Sequence, residues 1–272
     1  MESNDIKAHW HRWATEFRED LRATTKTSSI KALEVDALAR AIRDFGRGEA
    51  LRVLEVGCGN GHNCFGLAEQ FPEIEFTGVD YIEEMIGSAV EINQNHSCRD
   101  RLSFLCGDIL ELDQLGQLEE AYDIVFTNRC VINLNTDVAQ QRALDQLSTK
   151  VHRSGRLLMI ENSQQSHRRQ NDLREVVGLP RRPIAEFNHF IDEEKLLPHV
   201  LNSWSLLEID NFASLHDILL YVLLPLLNEG KVDYDHPLMS KATELLLGIS
   251  NSESNSFGDF GQNRLYVFER HS

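Results

Sequence analysis

No apolar run in this chain reaches the roughly 18 residues that a membrane-spanning helix requires, and no basic segment followed by an apolar one opens it as a secretion signal would. The longest candidate, Ile218 to Leu227, is interrupted by Tyr221 and Pro225 and reads as a buried helix. Positive charge is also scarce. Against 43 acidic residues stand 27 basic ones, a formal charge of -16, so the surface repels phosphate backbones and disfavours a nucleic-acid partner. The five cysteines, at 58, 64, 98, 106 and 130, contain no C-x-x-C pair and no regular framework, as expected of reduced thiols in a cytoplasmic protein. Cys130 follows a predicted strand but has no neighbouring base in the sequence, which favours packing over a nucleophilic role. The histidines lack ligand spacing, so no metal site is expected, and neither repeats nor low-complexity tracts occur.

What is present is a glycine loop. Leu51 to Val56 is a short apolar strand, Asn63 to Phe71 carries helical spacing, and Gly57, Gly59 and Gly61 fall in the turn between them. Glycine suits such a turn because it takes backbone conformations that other residues resist and lets a ligand approach the main chain. Dinucleotide folds use G-x-G-x-x-G, with a pyrophosphate on the helix N-terminus. Here the third glycine comes one residue early and Glu55 precedes the first. Two further predicted strands, Ile74 to Val79 and Leu102 to Cys106, end in Asp80 and in Gly107-Asp108-Ile109, where open α/β sheets bind their ligands. Three acids at the ends of three successive strands suit a cationic nucleoside better than a phosphate.

The pattern predicts two N-terminal helices, Asp5 to Leu21 and Ser29 to Phe45, then strands alternating with helices. Tyr122 to Thr127 is a fourth strand, Thr136 to Val151 a helix and Gly155 to Ile160 a fifth strand. Trp204 to Phe212 and Arg264 to Arg270 complete a seven-stranded, Rossmann-like, doubly wound α/β sheet, mostly parallel. Residues 1–46 read as a helical lid and 47–272 as the main domain, with acceptor-cap insertions at 162–200 and 213–262, both longer than ordinary connections. The aromatic face formed by His9, Trp10, Trp13 and Phe17 either packs on the core or folds over a cofactor.

The Glu55-x-Gly57-x-Gly59-x-Gly61 pattern resembles motif I of the class I S-adenosylmethionine-dependent methyltransferases. Thr127 to Leu134, Glu161, Asn171-Asp-Leu-Arg174, Gly178-Leu179-Pro180, Asn188-His189-Phe190, Lys26 to Lys31 and Asp233 to Pro237 are similar to a bacterial group often encoded near surface-polysaccharide genes. The resemblance implies a final edge strand inserted antiparallel and S-adenosylmethionine as methyl donor, with S-adenosylhomocysteine as product. It also implies that Asp80 takes the ribose hydroxyls, that Asp108 accepts from the adenine amino group and that Ile109 packs on the ring. Glu55, Gly57, Cys58, Gly59, Tyr81, Asn128 and Trp13 complete the expected cofactor set.

Methyl transfer is an in-line displacement that depends on positioning, and it needs a base only when the nucleophile must lose a proton. His189 is the candidate proton acceptor, because imidazole titrates near neutrality. Glu161 either orients an acceptor hydroxyl or balances Arg129, and Arg129 either serves the site or forms a rim salt bridge. Between Ser163 and Pro183 stand five arginines, and His167, Asn171 and Arg174 share one helical face. Arg174 is thus the expected fork for an acceptor anion, with Asn171 and Asn133 beside it. The expected activity is methyl transfer to a small-molecule or glycan-type acceptor that bears an anion. The alternatives are methylation of a protein or peptide group, or a non-catalytic binding subunit with this fold.

Overall fold

The computed structural model describes residues 2–25, 27–46, 50–249 and 257–271. Lys26 and residues 250–256, which fall within the resemblance and within the second cap insertion, lie outside them. Seven strands, β1 (Arg52–Val56), β2 (Glu75–Asp80), β3 (Leu102–Cys106), β4 (Tyr122–Asn128), β5 (Val151–Asn162), β6 (Trp204–Asp210) and β7 (Asn263–Arg270), form one sheet in the order β3-β2-β1-β4-β5-β7-β6. The first five run parallel, and β7 pairs antiparallel with β5 on one side and β6 on the other. The antiparallel strand is therefore inserted, and β6 holds the edge that the sequence reading had given to the last strand. Burial explains this: Tyr266 and Phe268 of β7 are fully buried and need a neighbour on each side, whereas β6 alternates with exposed residues.

Helices cover both faces, as parallel strands require. α1 (Ser3–Phe17) and α2 (Ser28–Phe45) precede the sheet; α3 (His62–Gln70), α4 (Glu83–Gln94) and α5 (Asp137–Thr149) connect its parallel strands. α6 (Gln164–Val176) and α7 (Glu193–Val200) fill the first cap insertion. α8 (Ser214–Ile218), α9 (Leu224–Leu227) and α10 (Pro237–Leu247) fill the second, with a π-wound turn, Leu219–Leu223, joining α8 to α9. Within β1, Val53 faces one core and Leu54 and Val56 the other, the period of two that a strand imposes.

The lid boundary at residue 46 is corrected by the packing of α2. Ile30, Leu33, Ala37, Leu38, Ala41 and Ile42 recur at helical spacing and are all buried against the sheet and α3, so this helix belongs to the main core. Thr27 caps it by accepting from the Ser29 N–H. Only α1 stands apart. Its Ala14 packs with Ala23, Ile82 and Met85 in a small separate cluster. Within the first insertion, Phe190, Ile191 and, from α7, Leu196 and Val200 are likewise buried in the core on the sheet's other face. The segment from Ile218 to Leu227 buries one side only, through Leu220, Tyr221 and Leu224, while Leu227 is 85% exposed.

Candidate active site

The strand order reverses between β1 and β4, which opens a crevice at their C-terminal ends. A cavity of about 520 Å³ occupies it. Gly57, Cys58 and Gly59 form its floor, Asp80, Tyr81, Asp108 and Ile109 one wall, and Asn128, Arg129 and Asn133 the opposite rim. Trp10 and Trp13 of α1 close it from above, and Arg182, Phe187 and Phe190 of the cap meet them. His9 stacks on Phe187 with centroids 4.3 Å apart, so lid and cap touch over the cavity.

The loop has its shape because its glycines are in the left-handed region, with φ of 79° at Gly57, 55° at Gly59 and 83° at Gly61. A Cβ on Gly57 would lie 2.4 Å from the Cys130 sulfur, so side chains are excluded there by contact as well as by conformation. Asp80 holds the loop from the next strand. Its carboxylate accepts from the Gly59 N–H at 2.8 Å and from the Ile82 N–H at 2.9 Å, one on each oxygen, leaving lone pairs for a ligand. Burial pushes its pKa up to about 6, against those two donors. Asp108 likewise accepts from the Leu110 N–H at 2.9 Å on one oxygen.

Glu55 lies behind this loop and is absent from the cavity wall. It is fully buried and accepts from the Asn63 amide at 2.6 Å and the Cys64 thiol at 3.0 Å, bracing the start of α3. Burial pushes its pKa up to about 7. Glu161 is also buried behind the wall. It accepts from the Thr127 hydroxyl and from the N–H groups of Cys130, Val131 and Ile132, between 2.8 and 3.2 Å. It therefore positions the loop that carries Asn128 to Asn133; it neither lines the cavity nor pairs with Arg129. Burial raises the Cys130 thiol well above its usual range, which leaves it little thiolate character.

A residue that sequence reasoning missed explains Arg129. Glu34 of α2 is fully buried, forms ion pairs with Arg129 Nε and Lys31 Nζ, each at 2.9 Å, and accepts hydrogen bonds from Arg129 Nη2 at 3.5 Å and from the side-chain amides of Asn128 at 3.0 Å and Asn263 at 3.1 Å. Burial opposes its charge, yet Arg129 and Lys31 hold its pKa below the ordinary value. Arg129, with φ of 55°, is thus the rim salt bridge, shared between Glu34 and the Thr24 carbonyl. The signal was faint: a glutamate on the apolar face of a helix, three residues after a lysine on that same face.

Three expected acceptor-side residues lie elsewhere. His189 is not on the cavity wall; its Nε2 pairs with Asp137 at 2.8 Å near the surface, because its backbone N–H is tied to Ile132. Arg174 is 2% exposed and is consumed internally, donating to the carbonyls of Pro180 and Tyr221. Asn171 exchanges two bonds with the backbone of Arg182, at 2.8 and 3.0 Å. Of the five cap arginines, the cavity wall includes Arg182 alone, whose guanidinium lies 3.5 Å from the Tyr221 ring centroid. The helical face shared by His167, Asn171 and Arg174 does exist, but only its N-terminal end, at His167, reaches the cavity.

A glycine loop at the first strand's end, acids at the next two and an inserted antiparallel seventh strand define a class I methyltransferase fold. The chain belongs to the family described as a methyltransferase domain, whose model matches residues 48–201. Malonyl-[acyl-carrier protein] O-methyltransferase of Bacillus anthracis is 34% identical over 98 residues, 36% of this chain and 34% of that protein. The enzyme of the same name from Bacillus cereus is 38% identical over 79 residues, 29% of this chain and 26% of that protein. The chain thus spans about a quarter to a third of the length of these curated relatives. Among solved structures, N-methyltransferase NodS from Bradyrhizobium japonicum WM9, in complex with S-adenosylhomocysteine, superposes with a TM-score of 0.58 at 14% identity, over 98% of this chain and 99% of that one. Magnesium protoporphyrin IX methyltransferase from Synechocystis PCC 6803 gives 0.55 at 17%, over 89% and 84%. These likenesses show the fold.

The geometry makes a prediction about α1. Because it rests on a small cluster of its own while α2 is part of the core, S-adenosylhomocysteine should raise hydrogen-exchange protection across Ser3–Phe17 and leave Ser28–Phe45 nearly unchanged. Unchanged exchange in α1, with protection in the glycine loop, would reduce it to a static wall.

Proposed function

We propose that this chain transfers a methyl group from S-adenosylmethionine to a small-molecule or glycan-type acceptor held between the glycine loop and the cap. One observation carries the reading: one cavity, within the size range of small-molecule sites, is lined both by Gly57, Asp80 and Asp108 and by Arg182, Tyr221 and Asn263. The residues present fit the donor. Asp80 retains acceptor capacity for two ribose hydroxyls, and Asp108 for an adenine amino group. Asn128 turns its amide N–H toward Glu34, which can only accept, so its unpartnered oxygen is left to receive an ammonium. Lys31 and Thr25 supply donors for the carboxylate.

Bound there, S-adenosylmethionine supplies an electrophilic methyl group. The protein's own part is positioning: Glu161 and Glu34 hold the rim rigid, while Trp10, Trp13 and Phe187 exclude water. Arg182 takes the role that Arg174 was expected to have, as the cation facing an acceptor anion. A cytoplasmic location goes with the five free cysteines, and no helix among the described residues is long and apolar enough to cross a membrane.

The test is calorimetry with S-adenosylhomocysteine and NAD, followed by mass spectrometry of a panel of hydroxylated, amino and carboxylated small molecules and malonyl-acyl-carrier protein incubated with S-adenosylmethionine. One S-adenosylhomocysteine per chain and methylation of a small molecule are expected. NAD binding without S-adenosylhomocysteine binding refutes the donor; turnover of the carrier protein alone refutes the acceptor class.

A further inference from the structure

Along with His62 and His167, the cavity wall contains His216 of α8, which nothing in the sequence pattern singled out. It is 1% exposed, and its neighbour Asp217 is 2% exposed. The ring Nδ1 lies 2.9 Å from Asp217 Oδ1, while Asp217 Oδ2 accepts from the Gln262 N–H at 2.9 Å. With the carboxylate accepting at both oxygens, Nδ1 carries the proton of this contact, and in the neutral ring Nε2 is the nitrogen with the lone pair. That Nε2 is buried and has no hydrogen-bond partner. Buried polar atoms without partners are rare and call for an explanation.

The pair is held rigidly. Ser214 donates to the Phe257 carbonyl and accepts from the Phe260 N–H, and a Cβ on Gly261 would come within 2.8 Å of the Ala213 backbone, so the chain entering β7 is pressed onto α8. Charge around it comes from several elements. Asp217 interacts electrostatically with His167 of α6 and with Tyr221 of the π-wound turn, Arg182 of the cap acts on both, and Tyr234 acts on Tyr221. Burial, then Arg182, lowers the His167 pKa to about 4, so His167 adds no charge at neutral pH. Further along the same wall, the side-chain oxygens of Asn162, Gln262 and Asn263 are also buried without partners. The Asn263 oxygen is an acceptor by necessity, because its amide N–H donates to Glu34. A wall of free acceptors matches a ligand rich in O–H donors.

We propose that His216 is the general base of this site, positioned by Asp217, and that the methylated group is a hydroxyl. This rests on the methyl-transfer reading above and narrows it, since a carboxylate acceptor needs no base. As the acceptor oxygen bonds to the methyl carbon and the carbon–sulfur bond breaks, the O–H proton passes to His216 Nε2. The products are a methyl ether, S-adenosylhomocysteine and an imidazolium balanced by Asp217, which returns its proton to water when the products leave.

The first measurement requires no acceptor: ¹⁵N spectra of the protein bound to S-adenosylhomocysteine, assigned with His216→Gln, at slightly alkaline pH. They should show His216 protonated at Nδ1 and bare at Nε2, a pattern that Asp217→Asn redistributes. The reverse tautomer in wild type overturns the proposal. In the second, the methyl-acceptor panel is run with both variants. Transfer to a hydroxyl that His216→Gln slows by about 10²-fold or more, with S-adenosylhomocysteine affinity within threefold of wild type, supports it. Transfer confined to carboxylates, or hydroxyl transfer that His216→Gln leaves unchanged, overturns this proposal alone. S-adenosylhomocysteine binding with no transfer to any panel member overturns the methyl-transfer reading together with it.

Discussion

Replacing Glu34 with alanine is expected to cost about 3–5 kcal/mol of folding stability, the usual result of removing one partner from a buried ion pair. The variant leaves Lys31 and Arg129 as uncompensated cations, one of them largely buried, and strips Asn128 and Asn263 of a shared acceptor. Domains of ordinary size are stable by only about 5–15 kcal/mol, so the loss should be visible as a large drop in the urea midpoint. The pH dependence has a definite sign. The folded pKa of Glu34 lies below its ordinary value of 4.5, so its contribution is complete above that value and is lost as the pH falls through the lower folded one. A Glu34→Ala variant that unfolds at the wild-type urea concentration would mean that the four partners are satisfied by water or by each other.

For Asp80→Ala, S-adenosylhomocysteine should bind more weakly by on the order of 3 kcal/mol or more. Each hydrogen bond to a charged group contributes about 1.5–3 kcal/mol, the proposed binding mode gives this carboxylate two ribose hydroxyls, and it also anchors Gly59 and Ile82. Asp80→Asn separates these roles, because the amide oxygen still anchors one N–H. Burial places the pKa of the free protein's Asp80 at about 6. Protonation removes acceptor capacity, so wild-type affinity measured by calorimetry should decline as the pH drops below about 6, and the Asn variant should be flat there. Equal pH profiles for the two proteins would show that another group controls binding.

The fold was largely legible in the chain. β3 spans the apolar run assigned to it, β1 and β4 differ by one residue at one end, and β2 is shifted by one residue at both ends. Strands buried on both faces read as apolar runs, and a helix that covers them reads at 3.6 spacing, so local pattern and tertiary environment agree. The glycine loop and the strand-end acids were legible for a related reason: Gly57, Gly59, Asp80 and Asp108 each lie within a few residues of a strand's end, and the topology then aligns those ends along one cavity. The acceptor half was not. His189 and His216 are equally plausible as letters, and only the packing turns one toward Asp137 at the surface and the other into the cavity wall. Arg174 and Arg182 differ in the same way, since the loop after α6 folds back and uses Arg174 to bind its carbonyls.

By itself, then, the sequence determined the sheet, its glycine turn and the acids at its strand ends, because period, turn chemistry and strand termini are short-range properties that each segment carries on its own. Tertiary structure alone decided the insertion of β7 inside the sheet, the assignment of α2 to the core and the Glu34 hub that joins residues 31, 34, 128, 129 and 263. It also decided which histidine and which arginine meet the cavity. Those outcomes depend on pairings up to 229 positions apart along the chain, where a buried charge must find its partners wherever folding brings them, and no local spacing encodes that search.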